Sequence, residues 1–193
     1  MNTLLSSPYL LLFARLTLGG IFLAGAVGKL IDPAGTVAAF RNRTWLPPTL
    51  RTVASQWLPW AEATVGVLLL LGLALPGAAL AAAALLVVFT GVVLGDLRGG
   101  RPMPCHCFGR FSQETAGPAT VARNLVLLAL ATLLIAQPTP YLALDAVFGA
   151  AQGVVLPPLA NAVPVVFLAL IAVVAVVLGS SLLATIRSFL RAF

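Results

Sequence analysis

Long apolar runs separated by short polar breaks set the pattern of this chain. The runs cover about 8–31, 56–75, 77–97, 118–136 and 163–186. Crossing the hydrocarbon core of a bilayer as helix takes about 20 mostly apolar residues, and each run reaches that length. None alternates apolar and polar positions as a barrel strand does. In lipid, a stretch this long with so few charges satisfies its backbone hydrogen bonds as helix. The pattern predicts an all-α polytopic membrane helical bundle, one integral membrane domain over 1–193. Residues 1–7 contain no Lys or Arg, and the first run exceeds the roughly 7–15 residues of a signal-peptide core. It is therefore expected to be the first membrane helix.

The breaks follow from local chemistry. Gly28-Lys29-Leu30-Ile31-Asp32-Pro33 ends the first run, with Pro33 stopping the helix and Lys29 expected to snorkel to the interface. A loop with Trp45, Trp57 and Trp60 among Pro47, Pro48 and Pro59 follows, and tryptophans at such a boundary are ordinarily belt anchors. Leu75-Pro76-Gly77 is expected to be the turn of a tight hairpin between the second and third helices. Residues 141–156 are apolar but short, contain Asp145 and Gln152, and end at Pro157-Pro158. That length suits an interfacial or re-entrant segment better than a span.

Composition agrees with a membrane protein. The 193 residues are 61% hydrophobic and 8% charged, with a mean hydropathy of +1.08, whereas soluble domains carry about 25% charged residues. The net charge of +6 does not read as a nucleic-acid surface, because the cations are grouped by loop. Lys29, Arg41, Arg43 and Arg51 surround the first loop, Arg98, Arg101, Arg110 and Arg123 the third, and Arg187 and Arg191 the C-terminus. With five spans these regions share one side of the membrane, and Arg15 alone lies far from it. The distribution of basic loops then predicts a multi-pass protein of a bacterial-type cell membrane, N-terminus outside, third loop and C-terminus cytoplasmic. Arg15 would snorkel or pair with a lipid phosphate.

The candidate chemistry is concentrated in Cys105-His106-Cys107-Phe108-Gly109, which holds the only cysteines and the only histidine. Two cysteines one residue apart can close a small strained disulfide ring, and strain makes the bond easier to attack. Arg98, Arg101 and Arg110 favour the reactive thiolate, and His106 can add to this when protonated or relay a proton. Two ordinary loop thiols are the bland alternative. A metal is a further one, although this set lacks the fourth ligand of a closed zinc site and suits only soft Cu(I). No metal ligand is assigned.

Glu62 is the second candidate, since a carboxylate within a span is costly and functional by default. It lies about 9 Å along a helix beginning near Gln56, and Arg123 about 7–8 Å into the fourth helix from the same side, at 1.5 Å per residue. The matching depths predict a Glu62–Arg123 ion pair beneath the cysteine loop, with Asn124 beside it.

These residues carry a resemblance. Arg15-Leu16-Thr17-Leu18-Gly19, Gly25, Gly28-Lys29-Leu30, Glu62 with Gly66, Asp96-Leu97-Arg98, the Cys-x-Cys-Phe-Gly element and Arg123-Asn124-Leu125 together resemble the MauE family of methylamine-utilisation membrane proteins, within a broader DoxX-like group. The resemblance covers about 8–137 and implies a four-helix core there. Residues 138–193 then add the interfacial segment and one additional C-terminal transmembrane helix. It also implies membrane thiol–disulfide chemistry supporting the maturation of exported proteins, with a thioredoxin-like or other dithiol protein as partner and a membrane quinone as electron acceptor. The better-understood membrane oxidases of this type use two cysteine pairs, whereas this chain has one.

The expected function is therefore a quinone-linked membrane thiol–disulfide oxidoreductase. Cys105 and Cys107 would exchange the disulfide, with His106, Glu62 and Arg123 handling protons or positioning the acceptor. Asn124, Phe108 and Lys29 would contact the quinone. Electron flow in the opposite direction fits the same residues. A non-enzymatic scaffold for a redox partner and a metal or small-molecule transporter are the alternatives.

Overall fold

The computed structural model describes residues 7–99, 108–111, 117–137, 143 and 159–190, with 110, 159–161 and 180–190 described as backbone alone. The described residues are all-helical: α1 (Pro8–Ile31), α2 (Pro33–Arg41), α3 (Pro48–Leu71), α4 (Leu75–Arg98), α5 (Pro118–Ala136) and α6 (Leu159–Leu190), with a short 3-10 turn at Gly109–Phe111. Proline falls within the first two positions of α1 to α5, where a missing N–H leaves no hydrogen bond unmade. By length and apolarity, α1, α4, α5 and Ala162–Gly179 within α6 can cross a membrane. The protein is thus an all-α polytopic membrane protein. Arg51, Gln56, Trp57, Trp60 and Glu62 dilute the apolar character of α3, which falls outside that group.

Helix α1 is the centre of the bundle and is buried along most of its length. It crosses α3 antiparallel and at close range. A Cβ on Gly66 would stand 2.9 Å from the Leu23 nitrogen and 3.0 Å from the Gly19 carbonyl oxygen, and one on Gly19 would stand 2.9 Å from Leu70. Small residues at a crossing let two backbones approach closely in an environment where packing drives association. On other faces of α1 lie α5 and α6. The shared core includes Leu11, Leu18, Phe22, Leu69, Leu86 and Leu127.

The ends of the bundle differ. At one end α1 finishes beside Phe108 and Gly109, and Arg43 of the first loop reaches Asp96 near the end of α4. At the other end Arg15 and Ala143 meet at Gly72, and Ala162 packs with Leu12. The first loop and the α4–α5 connection therefore share an end, and α6 begins at the opposite one. Of the short segment at 141–156, only Ala143 is among the described residues.

Three local expectations are corrected. The loop after Pro33 is largely helix: Asp32 Oδ1 accepts from the Gly35 N–H at 2.9 Å and starts α2, so Pro33 both ends one helix and opens the next. Helix α3 begins at Pro48 rather than near Gln56, so Trp57, Pro59 and Trp60 lie inside it. The α3–α4 turn falls at Gly72–Ala74, three residues earlier than expected. There Gly72 caps α3 in the left-handed region at φ 67°, and Pro76 and Gly77 belong to α4.

Candidate functional site

The site grows from the C-terminal end of α1. Gly28 has no side chain because the backbone carbonyl of Phe108 occupies the space a Cβ would need. Gly109 faces the Gly28 carbonyl in the same way and adopts φ 52°, a region that glycine enters without steric cost. Phe108 is buried. The two glycines thus clamp the end of the Cys-x-Cys-Phe-Gly element directly onto α1. Cys105, His106 and Cys107 lie outside the described residues.

One residue past Gly28, Lys29 turns into the bundle. It is 4% exposed, and its Nζ donates to Glu62 Oε1 at 2.9 Å and Oε2 at 2.8 Å. Both expectations for this region are corrected: Lys29 does not snorkel, and Glu62 pairs with Lys29 instead of Arg123. The antiparallel α1–α3 crossing decides this, because it lays Lys29 directly opposite Glu62. Phe89 adds its ring 5.9 Å from Nζ, and Thr36 Oγ1 donates to the Lys29 and Asp32 carbonyls at the helix end.

Arg123 takes a different position. Its guanidinium lies 4.9 Å from the Phe108 ring centroid, a cation–π contact on the residue that follows Cys107. Glu62, Phe89, Phe108, Arg123 and Asn124 line a small cavity of about 30 Å³. Asn124 is buried, and its Nδ2 has no hydrogen-bond partner among the described residues. Glu62 and Arg123 therefore share a cavity wall, which keeps Arg123 in the site.

Glu62 and Phe89 also face a second, larger cavity of about 250 Å³. Lys29, Thr36, Phe40, Arg43, Leu58 and Val92 are among its other lining residues. On its far side stands an ion pair that the sequence did not reveal. Arg43 Nε donates to Asp96 Oδ2 at 2.9 Å, and Trp45 Nε1 donates to Asp96 Oδ1 at 3.0 Å. Asp96 is 3% exposed and Arg43 3%. Trp45 is thus a structural donor, whereas Trp57 and Trp60 stay exposed as belt anchors would. Arg15, expected at the lipid surface, is buried against Gly72.

Chemically, the arrangement places a buried carboxylate–ammonium pair beside two cavities, one largely apolar and one lined by Arg123 and Asn124. It offers a group that can hold or pass a proton next to an apolar chamber, directly under the clamp that anchors the cysteine element.

The comparisons with known proteins converge on one family. The family described as methylamine utilisation protein MauE matches residues 7–137. The methylamine utilization protein MauE of Paracoccus denitrificans is 36% identical over 132 residues, which cover 68% of this chain and 71% of that relative. No solved structure matches.

Proposed function

The chain belongs to the MauE family of membrane proteins, and on that premise we propose that it is a membrane accessory protein of methylamine utilisation acting as a thiol–disulfide oxidoreductase. The observation that carries the proposal is the clamp of Phe108-Gly109 on Gly28, which ties the cysteine element to the residue beside the buried Lys29–Glu62 pair.

In the proposed reaction, a partner dithiol attacks the Cys105–Cys107 disulfide through a mixed disulfide, leaving the partner oxidised and the pair as two thiols. The thiols then give up two electrons and two protons and the Cys105–Cys107 bond re-forms. A bound membrane quinone supplies the two-electron, two-proton acceptor. The fit of such a group rests on the apolar cavity beside Glu62 and on the ammonium in its wall. Arg123, on Phe108, favours the thiolate state of the neighbouring pair. Glu62 receives a proton from the motif side across the small cavity that it shares with Arg123 and Asn124. Lys29 holds the Glu62 carboxylate in place through both of its oxygens. His106 is assigned the shorter relay, next to the thiols in sequence. The partner is a thioredoxin-like or other dithiol protein, and membrane lipid surrounds the bundle.

Trapping the thiol state tests this. Cells are quenched in acid with the quinone pool held oxidised or reduced, and free thiols are alkylated and counted by mass spectrometry. Cys105 and Cys107 are expected as a disulfide when the pool is oxidised and as alkylated thiols when it is reduced. A thiol state that ignores the pool sinks the proposal in favour of a scaffold.

A further inference from the structure

The larger cavity takes no part in holding the cysteine segment, yet its wall is specific. Lys29 and Arg43, the cations of its lining, are each bound to a buried carboxylate, at 2.8 Å and 2.9 Å. The wall is therefore charge-balanced, which disfavours a phosphate or carboxylate ligand that would need a cation of its own. The remaining lining is almost wholly aliphatic or aromatic. A dry cavity of about 150 Å³ lined by aliphatic side chains holds benzene, so about 250 Å³ has room for a substituted six-membered ring and the start of a tail.

The rim shows where such a molecule arrives. Leu50 and Val53 on α3 and Val88 on α4 line the cavity and are each more than half exposed. An apolar rim between two helices of a membrane bundle faces lipid tails. At the inner end stand the Lys29–Glu62 pair and the Phe89 ring. Glu62 and Phe89 form the wall shared with the small cavity under Phe108.

We propose that this cavity is the binding site for the neutral ring of a membrane quinone, reached sideways from the bilayer past Leu50, Val53 and Val88. The choice of a quinone among neutral ring ligands rests on the thiol-oxidation reading above. The location rests on the cavity alone. Glu62 then separates the ring from the motif-side cavity and is the residue through which protons pass between them.

The test uses the full chain in lipid nanodiscs, with Tm measured against decylubiquinone and against decanol, which has the tail without the ring. Decylubiquinone is expected to raise Tm by several degrees at saturation, decanol to leave it unchanged, and the cavity-filling variants Ala54→Trp and Ala39→Leu to lose most of the shift. Equal shifts from decanol, or full shifts in both variants, overturn the site. Should neither variant fold, photolabelling of the wild-type chain with an azidoquinone replaces them. Label on 48–62 or 88–93 supports the site, and label confined elsewhere overturns it. The two readings fail separately. No quinone shift in a protein whose cysteines follow the quinone pool removes the site and leaves the reaction. A shift in a protein whose cysteines ignore the pool leaves the site and removes the reaction.

Discussion

Glu62 and Lys29 show most directly what a single contact does here. Breaking a buried ion pair by removing one partner costs about 3–5 kcal/mol, because the other charge is left uncompensated. Glu62→Gln is therefore expected to destabilise the protein by about that amount, and Lys29→Met with Glu62→Leu together by much less. A double-mutant cycle read by thermal unfolding checks this, and additive losses would mean that the contact carries no coupling. If Glu62 also passes protons, the stable double variant still re-forms the Cys105–Cys107 disulfide slowly. Gly28 makes the second case. Adding a methyl group where the Phe108 carbonyl stands forces the clamp open, and overpacking of this kind costs about 1–3 kcal/mol. Gly28→Ala should lower both Tm and the rate of thiol oxidation, whereas Gly77→Ala, which meets nothing, should change neither.

The helices show why the site has its form. Helix α3 is less apolar than the membrane-length helices α1, α4 and α5, and it carries Glu62, which lines both cavities. Its hold on α1 depends on the Gly19–Gly66 crossing, so Gly66→Val should separate the pair and weaken the Lys29–Glu62 contact. The expected readout is a fall in Tm that Gly91→Val, on an open face of α4, does not share. The loop between α2 and α3 is joined to the end of α4 by Arg43, Asp96 and Trp45. Trp45→Phe removes one hydrogen bond to a buried carboxylate, at a cost of about 1.5–3 kcal/mol for a bond to a charged group, again measured by thermal unfolding.

The bundle as a whole sets the direction of the chemistry. The first loop and the α4–α5 connection share one end, and from the distribution of cations in the sequence that end is expected to be cytoplasmic. A membrane-impermeant maleimide added outside intact, reduced cells is thus expected to leave Cys105 and Cys107 unlabelled, and to label them in inverted vesicles. Efficient labelling from outside would reverse the orientation and place the partner dithiol in the exported compartment.

Much of this was readable before any coordinates. Apolar run length located α1 and α5 to the residue, because solvation by lipid acts on each segment independently of its neighbours. The cost of a carboxylate among apolar residues singled out Glu62, and the glycines of the resemblance proved to be contact points: Gly19 with Gly66, and Gly28 with Gly109. Helix α2 had a legible signal in Asp32-Pro33, a capping residue followed by a helix-opening proline, that the apolar pattern masked. The pairings were not readable. Lys29 and Arg123 are both basic and both near the same end, and depth along a helix says nothing about which way a side chain points around it. Arg43 and Asp96, distant in sequence and each unremarkable alone, meet only because the loop after α2 comes back beside the end of α4. Hydrophobic periodicity is a local property and belongs to the sequence. The rotation of each helix about its axis, and with it the choice of ion-pair partners and the cavities between them, is decided by packing and belongs to the tertiary structure.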